Sequence, residues 1–254
     1  MSLRLIVTRP RAQALAWVKA LREHGVDAVA LPLIAIEPLA DPAPLRAAWE
    51  TLPRLDWAMF VSANAVERFF AERPAGAGWP QGLRAGSPGP GTRLALQAAG
   101  VTAIDEPAPG QADSEGLWAA VAARGWAGRR ACVVRGEDGR DWLAEQLRAA
   151  GAQVDFVAAY RRAAPRLDDD AERVLAAAVA APAEHVFAFG SSEVVARLRQ
   201  LCPAADWSAS CALAGHPRIA QAARAAGFGR VRVLPPQEDL AQGAAALAAA
   251  LAGA

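Results

Sequence analysis

A series of short segments pairs hydroxyl or arginine side chains with small residues. They are Thr8-Arg9-Pro10-Arg11, Val61-Ser62-Ala63-Asn64, Gly86-Ser87-Pro88-Gly89-Pro90-Gly91-Thr92, Asp113-Ser114-Glu115-Gly116, Arg135-Gly136-Glu137-Asp138-Gly139-Arg140, Gly190-Ser191-Ser192-Glu193 and Gly215-His216-Pro217-Arg218. Each stands at or near the start of a helical pattern, in most cases just after an apolar run. The first N–H groups of a helix lack internal partners and favour anions. Arginine forks suit carboxylates. Taken singly, a Ser, Thr or Asn here is an ordinary helix cap. Several converging with Arg9, Arg135 and Arg140 point to a polyanionic ligand. His216 has two readings, as a substrate contact or as a solvent-exposed cap.

Other chemistries lack their residues. The only lysine is Lys19, preceded by Val18, so there is no Walker A sequence, and a Schiff-base enzyme is disfavoured. No G-x-G-x-x-G follows a strand, and neither G-x-S-x-G nor H-E-x-x-H is present. Cys132, Cys202 and Cys211 have no C-x-x-C spacing, and His24, His185 and His216 have no metal-ligand spacing. No metal is therefore expected.

The elements that must position these groups alternate. Apolar runs at Leu5–Thr8, Val26–Leu31, Trp57–Val61, Val101–Ile104, Ala131–Arg135, Val154–Tyr160, His185–Gly190, Cys211–Gly215 and Val231–Leu234 read as strands. Helical patterns lie between many of them. One carries Leu15, Val18 and Leu21 in its apolar stripe. Others are expected over Asn64–Phe70, Glu115–Ala123 (capped by Ser114), Asp138–Ala150, Asp168–Ala181, Ser191–Leu201 and Pro217–Ala226, with a last one from about Glu238. This alternation predicts βαβ units and parallel sheets covered on both faces.

The chain also repeats itself. Setting Gly25 on Gly151 places Arg9 on Arg135 and Trp17 on Leu143. Setting Phe60 on Phe189 places Ser62 on Ser191. Setting Gly100 on Gly227 places Pro90 on Pro217. The order of the repeated units predicts two similar doubly wound α/β lobes, the second inserted into the first. Residues 1–34 and 167–254 would form a discontinuous lobe, and 38–157 the inserted lobe. Residues 31–39 and 156–166 would form a two-stranded antiparallel ladder, with a cleft between facing strand ends. The only tyrosine, Tyr160, falls on the second crossing. There it either turns its hydroxyl to the cleft or packs on a lobe flank.

Composition limits the partners. The 254 residues are 54% hydrophobic with a net charge of +1, which disfavours disorder and a diffuse basic nucleic-acid surface. Charged residues, Gly and Pro interrupt every apolar stretch, so no membrane span is expected. The start Met1-Ser2-Leu3-Arg4 lacks the pattern of a secretory leader, and a cytoplasmic monomer is expected.

In their order along the chain, Val7-Thr8-Arg9-Pro10, Phe60–Val66, Gly89-Pro90-Gly91-Thr92, Ser114-Glu115-Gly116-Leu117, Val134-Arg135-Gly136, Gly139-Arg140, Tyr160-Arg161-Arg162, Phe189-Gly190-Ser191-Ser192 and His216–Ala220 resemble the uroporphyrinogen-III synthase family. His216-Pro217-Arg218 departs from the Gly-Pro and threonine that some members carry. The resemblance implies two α/β lobes joined by a two-strand ladder. It implies a cofactor-free lyase that closes hydroxymethylbilane with inversion of ring D and loss of water. It makes Tyr160 the candidate acid. Arg9, Ser62, Thr92, Ser114, Arg135, Arg140, Ser191 and His216 become candidate substrate contacts. A different class of reading is a non-catalytic two-lobed cytoplasmic protein binding a small polyanion.

Overall fold

A computed structural model describes residues 3–234 and 240–252. Along the chain the elements are β1 (Arg4–Val7), α1 (Arg11–Glu23), β2 (Ala28–Ala30), β3 (Ala35–Glu37), α2 (Ala43–Thr51), β4 (Trp57–Phe60), α3 (Ala63–Ala71), β5 (Arg84–Gly86), α4 (Pro90–Ala98), β6 (Ile104–Asp105) and α5 (Ser114–Val121). Then follow β7 (Arg130–Gly136), α6 (Trp142–Ala149), β8 (Gln153–Ala163), α7 (Asp169–Ala180), β9 (His185–Phe189), α8 (Ser192–Leu201), β10 (Cys211–Ala214), α9 (Pro217–Ala225), β11 (Arg230–Val233) and α10 (Leu240–Ala252). The expected start of the last helix at Glu238 lies outside the described residues. No helix among those described is long and apolar enough to cross a membrane.

The chain divides into two compact units, residues 1–35 with 163–254, and residues 36–162. The first contains the sheet β11-β10-β9-β1-β2. Its recorded pairings are parallel. Side chains leave the central strands alternately into two cores. Ile6, Phe187 and Ala212 meet α8 and α9 on one face, while Leu5, Val7 and Leu213 meet α1 and α10 on the other. The second sheet has the order β3-β8-β7-β4-β5-β6. There Phe60 and Val134 face α2, α3 and α4, and Met59 and Val133 face α5 and α6. The strands are apolar on both faces because helices cover both.

The repeated glycines end helices. Gly25 has φ 76° and Gly151 φ 92°, a left-handed conformation that favours glycine. Gly25 N–H donates to Arg22 O and Val26 N–H to Leu21 O. Gly151 N–H and Ala152 N–H repeat this onto Arg148 O and Leu147 O. Both are Schellman closures.

Several expectations need correction. Ser114 is the first residue of α5 and not its cap. Asp113 caps that helix, its carboxylate accepting from Gly116 N–H. A carboxylate also carries the charge that the helix dipole favours. The helix expected from Asp138 begins at Trp142, because Arg135 ties residues 136–141 into a loop. Leu15 is exposed, and Ala14, Val18 and Leu21 form the buried stripe of α1. Val101 is buried but precedes its strand, β6. Two elements went unexpected. α2 buries Leu45, Ala48 and Trp49 at helical spacing. β5 has only three residues, and its Gly86 lies against the Trp57 ring where no methyl would fit.

Candidate functional site

Each sheet has a point where its connections turn in opposite directions. In the first, β1 leads through α1 to β2, while β9 leads through α8 to β10 on the other side. In the second, β7 leads through α6 to β8, while β4 leads through α3 to β5. Ligands of open α/β sheets bind at such switch points, beyond the carboxyl ends of the strands. Arg9 and Ser191 follow β1 and β9. Arg135 and Ser62 stand at the ends of β7 and β4.

The hydroxyls are helix caps. Ser62 Oγ accepts from Ala65 N–H at 3.3 Å and Ser191 Oγ from Val194 N–H at 3.3 Å. His216 caps α9, its Nδ1 accepting from Arg218 N–H at 3.1 Å. Ser192 Oγ donates to Arg218 O at 3.4 Å, linking the heads of α8 and α9. Thr92 lies in the first turn of α4 and is buried, with its N–H bonded to Gly89 O. Gly89 itself offers no side-chain cap. Ser87, fully buried, donates from Oγ to Gly89 O at 2.7 Å and fixes that loop.

The arginines differ in their partners. Arg135 donates to its own loop, at Gly136 O and Gly139 O, and pairs with Asp141. It also lies over the Phe156 ring at 4.6 Å. Arg140 pairs with Glu115 at 2.7 Å, which brings it beside the head of α5 and Ser114. Arg9 has no hydrogen bond or ion pair among the described residues. Its guanidinium lies 4.5 Å over the Trp17 ring, and loss of hydration holds its pKa below the usual arginine value.

Tyr160 sits in β8, but its ring is 1% exposed and belongs to the core of residues 36–162. It is therefore not presented on an exposed crossing. The β7–β8 register explains its position. Arg135 pairs with Ala158 and Gly136 with Tyr160, so Ala159 is an extra residue. Such a bulge re-aims the following side chain. Ala159 and Tyr160 are consequently both buried. The Tyr160 hydroxyl lies 3.4 Å from Ser62 Oγ, and Arg162 Nη2 is 3.5 Å from it. The structure thus joins Ser62 to Tyr160, and Arg140 to the Ser114 region. It gives no direct contact of Thr92 with the tyrosine.

Trp17 and Asp141 were not expected at the site from sequence, and Ser87 and Arg162 lie in motifs named there without a role of their own. The spacing of Trp17 from Arg9, eight positions across a strand end and two helical turns, is a signal that could have revealed that pair. Among the described residues no group of three or more His, Cys, Asp and Glu could hold a metal ion.

Comparison with known proteins agrees with this architecture. The family described as uroporphyrinogen-III synthase HemD matches residues 16–242. The uroporphyrinogen-III synthase of Salmonella typhimurium is 33% identical over 165 residues, 65% of this chain and 67% of the relative. A mutant uroporphyrinogen III synthase from the extremely thermophilic bacterium Thermus thermophilus superposes with a TM-score of 0.60 at 19% identity, covering 100% of both chains. Uroporphyrinogen-III synthetase from Helicobacter pylori does so with a TM-score of 0.57 at 14% identity, again over 100% of both. At these identities the structures establish the shared fold.

Proposed function

The chain belongs to the uroporphyrinogen-III synthase family of cyclising lyases in haem biosynthesis, and from that premise we propose how its residues serve the reaction. The substrate is hydroxymethylbilane, a small linear tetrapyrrole with carboxylate side chains. The candidate carboxylate contacts are Arg9, Ser191 and His216 at the strand ends of the first sheet, and Thr92, Ser114 and Arg140 at those of the second. Backbone N–H groups at the helix heads share that task. Arg135 contributes through the loop it ties, since its donors are already engaged.

The contact between Ser62 and Tyr160 carries the chemical part of the reading. Ser62 is half-buried at the head of α3, and Tyr160 lies beneath it. The substrate hydroxyl leaves as water when it takes the Ser62 proton, and Ser62 takes the Tyr160 proton. The C–O bond breaks and a cationic azafulvene forms. Ring D attacks through its substituted carbon, giving a spiro intermediate that reopens and closes inverted. Loss of the ring proton on final closure restores the tyrosine. Holding the flexible chain folded supplies the rest, since orientation alone is worth several kcal/mol. The protein acts as a cytoplasmic monomer in this reading.

The test is a coupled assay that generates hydroxymethylbilane in situ and separates the oxidised product isomers. The expected product is isomer III. Accumulation of isomer I alone at the uncatalysed rate refutes the assignment. A binding protein without chemistry would give that second result, and family membership disfavours it.

A further inference from the structure

Arg9 is anchored by packing and not by an acid. Pro10 heads α1 without a side-chain cap, and the first turn of α1 carries no acidic residue. The Arg9 guanidinium carbon lies over the Trp17 ring, 4.5 Å from its centroid. A guanidinium on an aromatic face keeps its edge donors free for another ligand. Trp17 is itself held from behind. Gly243, buried in α10, touches the far edge of the indole so closely that a methyl there would overlap Cη2, Cζ3 and Cζ2. The equivalent position to Trp17 in the repeat is Leu143, which offers no such face.

We propose that Trp17 is a positioning residue for carboxylate recognition, presenting the Arg9 guanidinium, and that Gly243 sets the place of the indole. The proposal rests on the reading that Arg9 receives a substrate carboxylate. Trp17 touches no reacting atom, so its removal weakens binding and leaves the chemical step alone. Gly243 acts at one further remove, through the ring.

Two measurements test it. In the coupled assay, Trp17→Leu raises KM about fivefold, the equilibrium equivalent of about 1 kcal/mol of cation–π attraction, with kcat unchanged. Trp17→Phe recovers part of that loss. In an Arg9→Ala background, Trp17→Leu adds nothing. An equal KM rise in both backgrounds, or none in the wild type, overturns the proposal. The second readout is the NMR signal of the Arg9 Nε–H, identified by its loss in Arg9→Lys. The indole ring current shifts it upfield. Trp17→Leu abolishes the shift, and Gly243→Ala changes it while the fold melts cooperatively. An unmoved signal in both variants refutes the arrangement. If the wild-type protein yields only isomer I, the substrate reading fails, while the Arg9 signal still decides whether Trp17 and Gly243 hold the guanidinium.

Discussion

β1 and β7 occupy the same place in their sheets, each beside the strand at which the connections reverse. Each has an arginine at or just beyond its carboxyl end and lies beside a strand whose helix is capped by serine. Yet Arg9 is unpaired among the described residues and lies on Trp17, whereas Arg135 pairs with Asp141 and two carbonyls of its own loop. Beside Arg135, β8 bulges and brings Tyr160 under Ser62. One strand end thus carries an arginine held by an aromatic ring, and the other an arginine bonded into its own loop beside a buried tyrosine. The two strand ends share a backbone arrangement and differ in a few side chains, and the proposed division of binding from chemistry follows that difference.

The largest effect expected concerns an ion cluster that belongs to residues 36–162 alone. Asp105 is buried and accepts from Arg84 Nε at 2.9 Å, from Trp57 Nε1 at 2.9 Å and from Arg124. Asp105→Ala removes the acceptor shared by Arg84 and Arg124 and leaves the buried Trp57 indole N–H without a partner, costing about 3 kcal/mol. Chemical denaturation followed separately in each unit should show the loss in that unit. Burial alone pushes the Asp105 carboxyl up, but hydrogen bonds from Arg124, Arg84 and Trp57 outweigh it and hold the pKa below the usual carboxylate value. The stabilisation is therefore complete above the usual carboxylate range and disappears as pH falls through the depressed folded value. An acid titration in which residues 36–162 keep full stability contradicts this.

Next is Tyr160→Phe. It removes the proton donor and little packing, so kcat should fall roughly 100-fold with KM nearly constant. A loss confined to KM would move Tyr160 to the binding side of the comparison. The arginines come third. Arg9→Ala should raise KM about tenfold, the equivalent of about 1.4 kcal/mol. Arg135→Ala should instead increase hydrogen exchange in residues 136–141, with a smaller change in KM. A larger KM change for Arg135→Ala than for Arg9→Ala breaks the division drawn between the two strand ends.

The smallest effect separates the two helix stops. Both glycines have positive φ, so alanine at either costs about 1 kcal/mol. A methyl on Gly151 would also meet Ala127 Cα at 3.0 Å, while one on Gly25 meets nothing within 4 Å. Gly151→Ala should therefore lower Tm more than Gly25→Ala. Equal shifts would show that backbone strain alone decides.

The parallel α/β pattern was legible because strand burial and helix termination are local requirements. Gly25 and Gly151 must be glycine for the left-handed closure, so the repeat shows in the letters. The caps at Ser62, Ser191 and His216 were legible for the same reason. The split between Arg9 and Arg135 was not. It depends on Asp141 lying just outside a helix, at a place where the sequence suggests helix interior. The burial of Tyr160 depends on one extra residue in a ladder, and pairing register has no signature within β8 alone. Asp113 and Ser114 are both good caps, and only the backbone geometry chooses between them.

β1 sits inside its sheet, yet its partner β9 is far away in sequence, and Thr8 donates to Ala188 across 180 positions. The sheet of residues 36–162 also joins strands distant in sequence, β3 beside β8 and β4 beside β7, but all of its strands precede β9 in the chain. During synthesis that inserted segment can close its sheet while β1 still waits for β9 to emerge. Long loop closure is slow and leaves apolar strands uncovered. This threading predicts that the inserted segment completes its sheet before β1 and β9 pair.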